Sequence, residues 1–302
     1  VELIKSGEGK QLQLTSTGLP NYNFIEVAYG NGRFVAINGD NTRAYYSRNG
    51  KDWSYAKIPV TYGANCIAFG LGKFIVGGSD GYIYLSPDGS AWVKVPPPTL
   101  GAMWCRALFG NGAFVLLGYY GEVAYSYSGQ VWFDGAPTLA GITYAAAYGD
   151  GKFVVVGSGN VTACSTNNGL SWTNGILPST CQIYPGYKNC FAFGDGYFVA
   201  VLADGTSARS MDGVHWNAGI MPAAVTWSSL GYGDGVWVAA GNAKRLAVST
   251  DDGLTWSLVT QSLSGAWMAV AHNGVEFLMI GNSGYYWTSR DGLVWDEYAD
   301  GP

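Results

Sequence analysis

Residues 249–256 read STDDGLTW, a short polar turn that ends on a tryptophan. Near copies run along the chain: SRNGKDW from Ser47, SPDGSAW from Ser86, SYSGQVW from Ser126, STNNGLSW from Ser165, SMDGVHW from Ser210 and SRDGLVW from Ser289. Their tryptophans fall at 53, 92, 132, 172, 216, 256 and 295, in steps of 39, 40, 40, 44, 40 and 39. A second phrase keeps the same time: GNGRF from Gly30, GLGKF from Gly70, GNGAF from Gly110, GDGKF from Gly149, GDGYF from Gly194, GDGVW from Gly233 and HNGVEF from His272. A fixed period near 40 residues marks a repeat architecture, here of seven units.

The second repeat shows what one unit is. Glycine-rich breaks divide NCIAFGLGKFIVGGSDGYIYLSPDGSAWVKVP into runs at Cys66–Phe69, Lys73–Val76, Tyr82–Ser86 and Trp92–Val95, each rich in β-branched or aromatic residues. Four antiparallel strands are expected, with Gly70 and Gly72 in the hairpin between the first two. The Ser-to-Trp phrase then joins strands three and four. Its Asp or Asn can accept from amides of its own turn, its Gly can turn left-handed, and its Trp can fold back as an apolar lid. Seven such units predict an all-β, seven-bladed β-propeller of four-stranded antiparallel blades. The first strand supports this through two alternating columns: Ala28, Ala68, Leu108, Ala147, Ala192, Gly231 and Val270, then Tyr29, Phe69, Phe109, Tyr148, Phe193, Tyr232 and Ala271. Small then faces large across each junction. Residues 21–302 are expected to form the propeller as a single domain, and residues 1–20 to cover the last blade, with Leu12 and Leu14 beside Trp295 to Tyr298.

Composition bounds the function. The 302 residues carry a formal charge of −5, 48% hydrophobic, 15% aromatic and only 12% charged side chains, with 45 glycines, as a large core with many turns requires. An acidic chain without a basic stripe is a poor partner for nucleic acid. No apolar run is long enough to span a bilayer as a helix, so membrane insertion is not expected. Five cysteines leave at least one unpaired within the chain, and Cys181 and Cys190 flank the long repeat, where a bridge is one option. No metal-ligand spacing is present, and no cofactor is expected.

The pattern Ser-x-Asp-x-Gly-x-Thr-Trp, matched at every position by Ser249 to Trp256, resembles the Asp-box, or BNR repeat. The other six copies keep Ser, Gly and Trp, while the copy from Ser126 loses the acid. Asp-box propellers include sialidases, sorting receptors, photosystem assembly factors, lectins and phage appendage proteins, so the likeness implies a fold before a function. The pairing of AYGNGRFVAI with YSRNGKDW is similar to repeats of bacteriophage tail and fibre proteins and bacterial surface proteins. That likeness implies an extracellular or virion setting, with other virion or surface proteins as neighbours.

Resemblance to sialidases implies three converging arginines, a Tyr–Glu nucleophile pair, an Asp acid/base and a Phe/Tyr-Arg-Ile-Pro motif. The nearest string here is AKIP at 56–59. Only Arg106 of the arginines lies on an inner strand, sharing a column with Glu26, Cys66, Ala145, Cys190, Ser229 and Met268. Glu26 and Arg106 are read as a polar pair at the channel mouth, more structural than catalytic. His215 in a box and His272 in a hairpin turn read as exposed turn residues, and Asp40, Asp80 and Asp204 as isolated loop acids rather than a calcium cage. No catalytic residue is assigned, and an enzyme is not expected.

Recognition is expected on the face that carries the four-to-one and two-to-three loops, since variable loops on a rigid scaffold are where binding usually lives. Each four-to-one segment brings an aromatic near its inner strand: Tyr22, Tyr62, Trp104, Tyr144, Tyr187, Trp227 and Trp267. Tyr184 and Tyr187, in the long loop from Leu177 to Cys190, are the first contacts expected, with Trp104 and Trp227 next. Tyr119, Tyr120, Tyr285 and Tyr286 extend the patch. Such rings suit a surface glycan or receptor. The other readings are a protein-docking scaffold, like the assembly factors, and third a sialidase-like glycosidase.

Overall fold

The computed structural model describes residues 24–38, 42–49, 52–98, 101–138, 141–178, 189–202, 204–242, 244–263, 267–281 and 285–299. Their strands form seven four-stranded antiparallel sheets, each in simple chain order, over residues 24–57, 64–95, 104–134, 143–176, 191–219, 227–258 and 267–299. The first strands pack on one another from blade to blade around the axis, and the chain is a seven-bladed β-propeller. In blade two the strands are Ala64–Gly70, Lys73–Gly78, Ile83–Ser86 and Val93–Val95, within two residues of the runs read from the sequence. The N-terminal segment, with Leu12 and Leu14, lies outside the described residues.

The seams between blades use one repeated contact. The last glycine of each of the first six inner strands has no room for a side chain, because the ring one residue earlier in the next blade fills that space. A Cβ on Gly30 would lie 2.2 Å from the Phe69 ring, on Gly70 2.2 Å from Phe109, on Gly149 2.0 Å from Phe193, and on Gly194 2.3 Å from Tyr232. The small partner of each ring is therefore this glycine rather than the Ala28 column. Each ring also tilts against an aromatic on strand two of its own blade, as Phe69 does against Phe74 at 4.8 Å between centroids.

The seventh blade corrects the expected columns by one residue. Gly233 faces the ring of His272, and His272 pairs with Phe277. Ala271 therefore stands with Ala28, and Ala269, not Met268, stands with Glu26 and Arg106. The HNGVEF hairpin holds one more residue than the other six, and counting back from it shifts the register.

The Ser-to-Trp turns fold as their residues demand. Ser86 Oγ accepts from Gly89 N at 2.8 Å, and the same bond recurs at Ser126, Ser165, Ser210, Ser249 and Ser289. Asp212 Oδ1 accepts from Val214 N and His215 N at 2.9 and 2.8 Å. Where the acid is missing, Ser128 Oγ takes both bonds, from Gln130 N and Val131 N at 3.1 and 3.2 Å. The Trp256 indole N–H donates to Gly253 O at 3.0 Å, with counterparts at Trp92, Trp132 and Trp295. Gly213 adopts φ +75°, where a side chain is strained, and a Cβ there would lie 2.4 Å from Val154 of the preceding blade. The turns of blades two to seven thus close their own strands and also press on the blade before them.

Candidate functional site

The antiparallel order sends the one-to-two hairpins and the Ser-to-Trp turns to one end of the channel. The four-to-one and two-to-three loops share the other end. There the inner strands begin with a bulge: Trp104 pairs with Gly118 and Arg106 with Leu117, leaving Cys105 between them, and blades one, two, four, six and seven shift at the same place. The bulge decides which of two neighbouring side chains faces solvent.

Trp104 and Trp227, expected as contacts, are fully buried, and a ring in a seam offers no face to a ligand. Trp104 turns inward and donates its indole N–H to Gly81 O of blade two at 2.8 Å, while Met103 beside it is exposed. Met103 was not singled out by sequence, which follows the larger residue of the pair. Tyr62 is 76% exposed on the loop entering blade two, beside Thr61, whose N–H donates to Asp80 Oδ2 at 3.0 Å. Tyr144 is half-buried at the start of blade four. Tyr22, Tyr184 and Tyr187 lie outside the described residues, as does Cys181. Of Trp267, Tyr285 and Tyr286 only the backbone is described, in the first and third strands of blade seven.

Met103, Tyr119, Tyr120 and Tyr144 gather where blades three and four meet. Tyr119 N donates to Met103 O at 2.8 Å, and Thr143 N donates to Tyr119 O at 2.9 Å, so the two-to-three loop of blade three is clamped between two four-to-one segments. Tyr120 is 64% exposed and stands edge-on to Tyr119 at 5.2 Å between centroids. Glu122 Oε2 accepts from Tyr120 N at 3.0 Å and fixes the turn. Burial, helped by the neighbouring Tyr119, pushes the Tyr144 phenol above its ordinary pKa.

Arg106 sits on the first strand of blade three, three residues after Met103. It is 2% exposed; Nη1 donates to Cys105 O at 2.6 Å and Nη2 donates to Tyr144 O of the next blade. Glu26 holds the same register in blade one, and its Oε2 accepts from Ile67 N of blade two at 2.7 Å. Each spends polar atoms on the inner strand of the following blade, as Ser229 does in accepting from Val270 N at 2.9 Å.

The histidines part company. His215 is exposed in its turn, with Nδ1 2.7 Å from Asp212 Oδ2. His272 is not the exposed turn residue expected from its place beside a glycine. Its ring is buried in the seam position that Tyr or Phe fills elsewhere, with Nδ1 accepting from Gly274 N at 3.1 Å and Nε2 3.4 Å from Asp234 Oδ2. Asp80 and Asp204 cap their own loops: Asp80 Oδ2 accepts from the Tyr84 hydroxyl at 2.6 Å, and Asp204 Oδ1 from the Thr206 hydroxyl at 2.6 Å. Among the described residues, no group of three or more His, Cys, Asp and Glu is placed to hold a metal ion.

No family model matches the chain, and no curated protein matches it. Its fold is similar to solved propellers. YCF48 bound to D1 peptide is 15% identical, with 93% of each chain covered and a TM-score of 0.69. A streptogramin B lyase is 11% identical, with 94% of this chain and 96% of that one covered and a TM-score of 0.69. BamB from Moraxella catarrhalis is 9% identical, with 91% and 87% covered and a TM-score of 0.65. At such identities the likeness is one of fold, and the fold hosts both an enzyme and a peptide binder.

Proposed function

We propose that this propeller is a non-catalytic recognition module that docks a protein segment on the face carrying Tyr62, Met103, Tyr119, Tyr120 and Tyr144. The observation that carries the reading is the patch at blades three and four. Its exposed rings are held by backbone bonds between loops, so little side-chain or loop entropy is lost on binding. Tyrosine combines apolar area with a hydroxyl, the mixture that protein interfaces favour. YCF48, a propeller of similar shape, was solved with a peptide bound.

A second reading is a glycan or receptor reader belonging to a phage tail or a secreted adhesion protein, with the recurrent turns as Asp-boxes. The edge-on pair favours it, because the exposed Tyr120 ring keeps a flat face of the kind that stacks on a sugar. One experiment separates the two. The purified chain and its Tyr62→Ala/Tyr120→Ala variant are applied in parallel to a peptide array and a glycan array. Peptide binding that the variant loses supports docking; glycan binding that it loses supports the second reading. Binding that survives in the variant moves the site off this patch.

A further inference from the structure

Arg106 makes no ion pair among the described residues. A guanidinium stays protonated at any physiological pH and offers five N–H groups. Here two of them donate, both to backbone carbonyls, and Nε, also buried, has no hydrogen-bond partner. Among the described residues no carboxylate lies within ion-pair distance of it. An enclosed cation answered only by carbonyl dipoles is costly, and an anion reaching it recovers part of that cost. Nη2 meets the carbonyl of Tyr144, a half-buried residue, whereas Nη1 meets the carbonyl of the buried Cys105. The Nη2 contact sets the guanidinium against the backbone of Tyr144, which adjoins Thr143, the residue whose N–H donates to Tyr119 O.

We propose that the Arg106 guanidinium is a carboxylate-binding subsite at the channel edge of the seam between blades three and four. This rests on the docking reading of the same face and deepens it: the partner presents a carboxylate next to an apolar or aromatic group. The tyrosines take the ring and Arg106 takes the charge. Glu26 is the carboxylate on the same column, but it stands two blades away and accepts from Ile67 N with Oε2. A carboxylate can come from a chain terminus or from an acidic side chain, and the probes distinguish them.

Three small probes are titrated calorimetrically against the full chain: N-acetyltyrosine, N-acetyltyrosinamide and N-acetylglutamic acid α-amide. The expected result is that the acid binds at least tenfold more tightly than the tyrosinamide, since a charge-assisted bond is roughly twice as strong as a neutral one. Its advantage shrinks as salt rises from about 0.05 to 0.5 M. Binding of the glutamate probe assigns a side-chain source, and its failure beside a binding acid assigns a chain terminus. Arg106→Gln abolishes the preference for the acid while the residual aromatic binding persists. Arg106→Lys, which keeps the stem and charge, retains part of it and guards against a folding defect in the glutamine variant.

Equal binding of acid and tyrosinamide to the wild-type chain overturns the subsite and leaves the tyrosine patch standing as a docking face. Failure of the acid to bind, or a preference that survives in Arg106→Gln, overturns it as well. Loss of array binding on Tyr62→Ala/Tyr120→Ala speaks to the docking reading alone, so the two failures are distinguishable.

Discussion

Single residues in the recurrent turns act on two blades at once. Gly213 needs a left-handed φ of +75° and sits against Val154 of the preceding blade, whereas Gly196 in a hairpin has φ +80° with open space around it. Gly196→Ala is expected to cost about 1–2 kcal/mol for conformation alone. Gly213→Ala is expected to add a packing cost of about 1–3 kcal/mol, read as a larger drop in the urea midpoint. Ser128 marks the opposite case, a turn working with a hydroxyl where four of the others have a carboxylate. Ser128→Asp is expected to raise stability by about 0.5–1 kcal/mol, because bonds from Gln130 N and Val131 N to a charged acceptor are stronger. Thermal melts of the two chains side by side check this.

The same turns respond to pH. Burial pushes the carboxyls of Asp88, Asp212 and Asp251 up, but hydrogen bonds from Ser90, His215 and Thr255 and their neighbours outweigh it and hold all three below the usual range. Asp291 is held low mainly by the backbone amides of Val294 and Leu293. A depressed pKa stabilises the fold above the unfolded value near 3.9 and loses that contribution as pH falls through the folded values. The melting temperature is therefore expected to stay level from pH 7 to 5 and to decline below about pH 4, with a shallower decline in Asp212→Asn. Asp252 runs the other way, raised by burial and by the nearby Asp195. Its ionised form is disfavoured in the folded chain, so Asp252→Asn is expected to raise the melting temperature near neutrality, with the gain vanishing in acid. Asn also suits its φ of +59°.

At the scale of elements, the seam is the unit to test. Gly149→Ala forces the Phe193 ring aside and is expected to cost roughly 1–3 kcal/mol. In a Phe193→Ala background the same change should cost less than about 1 kcal/mol, and equal costs in the two backgrounds would show that the ring is not what Gly149 accommodates. These elements were legible in the sequence to different depths. Every unit carries its own turn chemistry, so the strand order and the blade count could be read without any long-range information. The inner strand's entrance could not. A bulge there buries Trp104 and exposes Met103, and a side-chain period of two cannot say which neighbour turns outward once one residue drops out of register. The extra hairpin residue after His272 hid that ring in the same way.

For the whole molecule, the face with the four-to-one loops was legible as a face but not as a site. Tyr119, Tyr120 and Tyr144 could be placed on it from the repeat alone, while their meeting depends on Tyr119 bonding to both Met103 and Thr143 across a seam. Arg106 stood out in the sequence for lying on an inner strand. That no carboxylate among the described residues pairs with it is seen only in the assembled fold.

The glycine-and-ring joint carries one further consequence. Six successive joins, from Gly30 with Phe69 to Gly233 with His272, use the same socket and the same kind of plug. If a whole blade were excised between two such joins, the flanking pieces would still present a matching plug and socket. No single join therefore encodes the number seven. The ring's arithmetic resides in how many modules the chain strings together, which makes blade number the property of this protein most open to change by duplication or loss of one repeat.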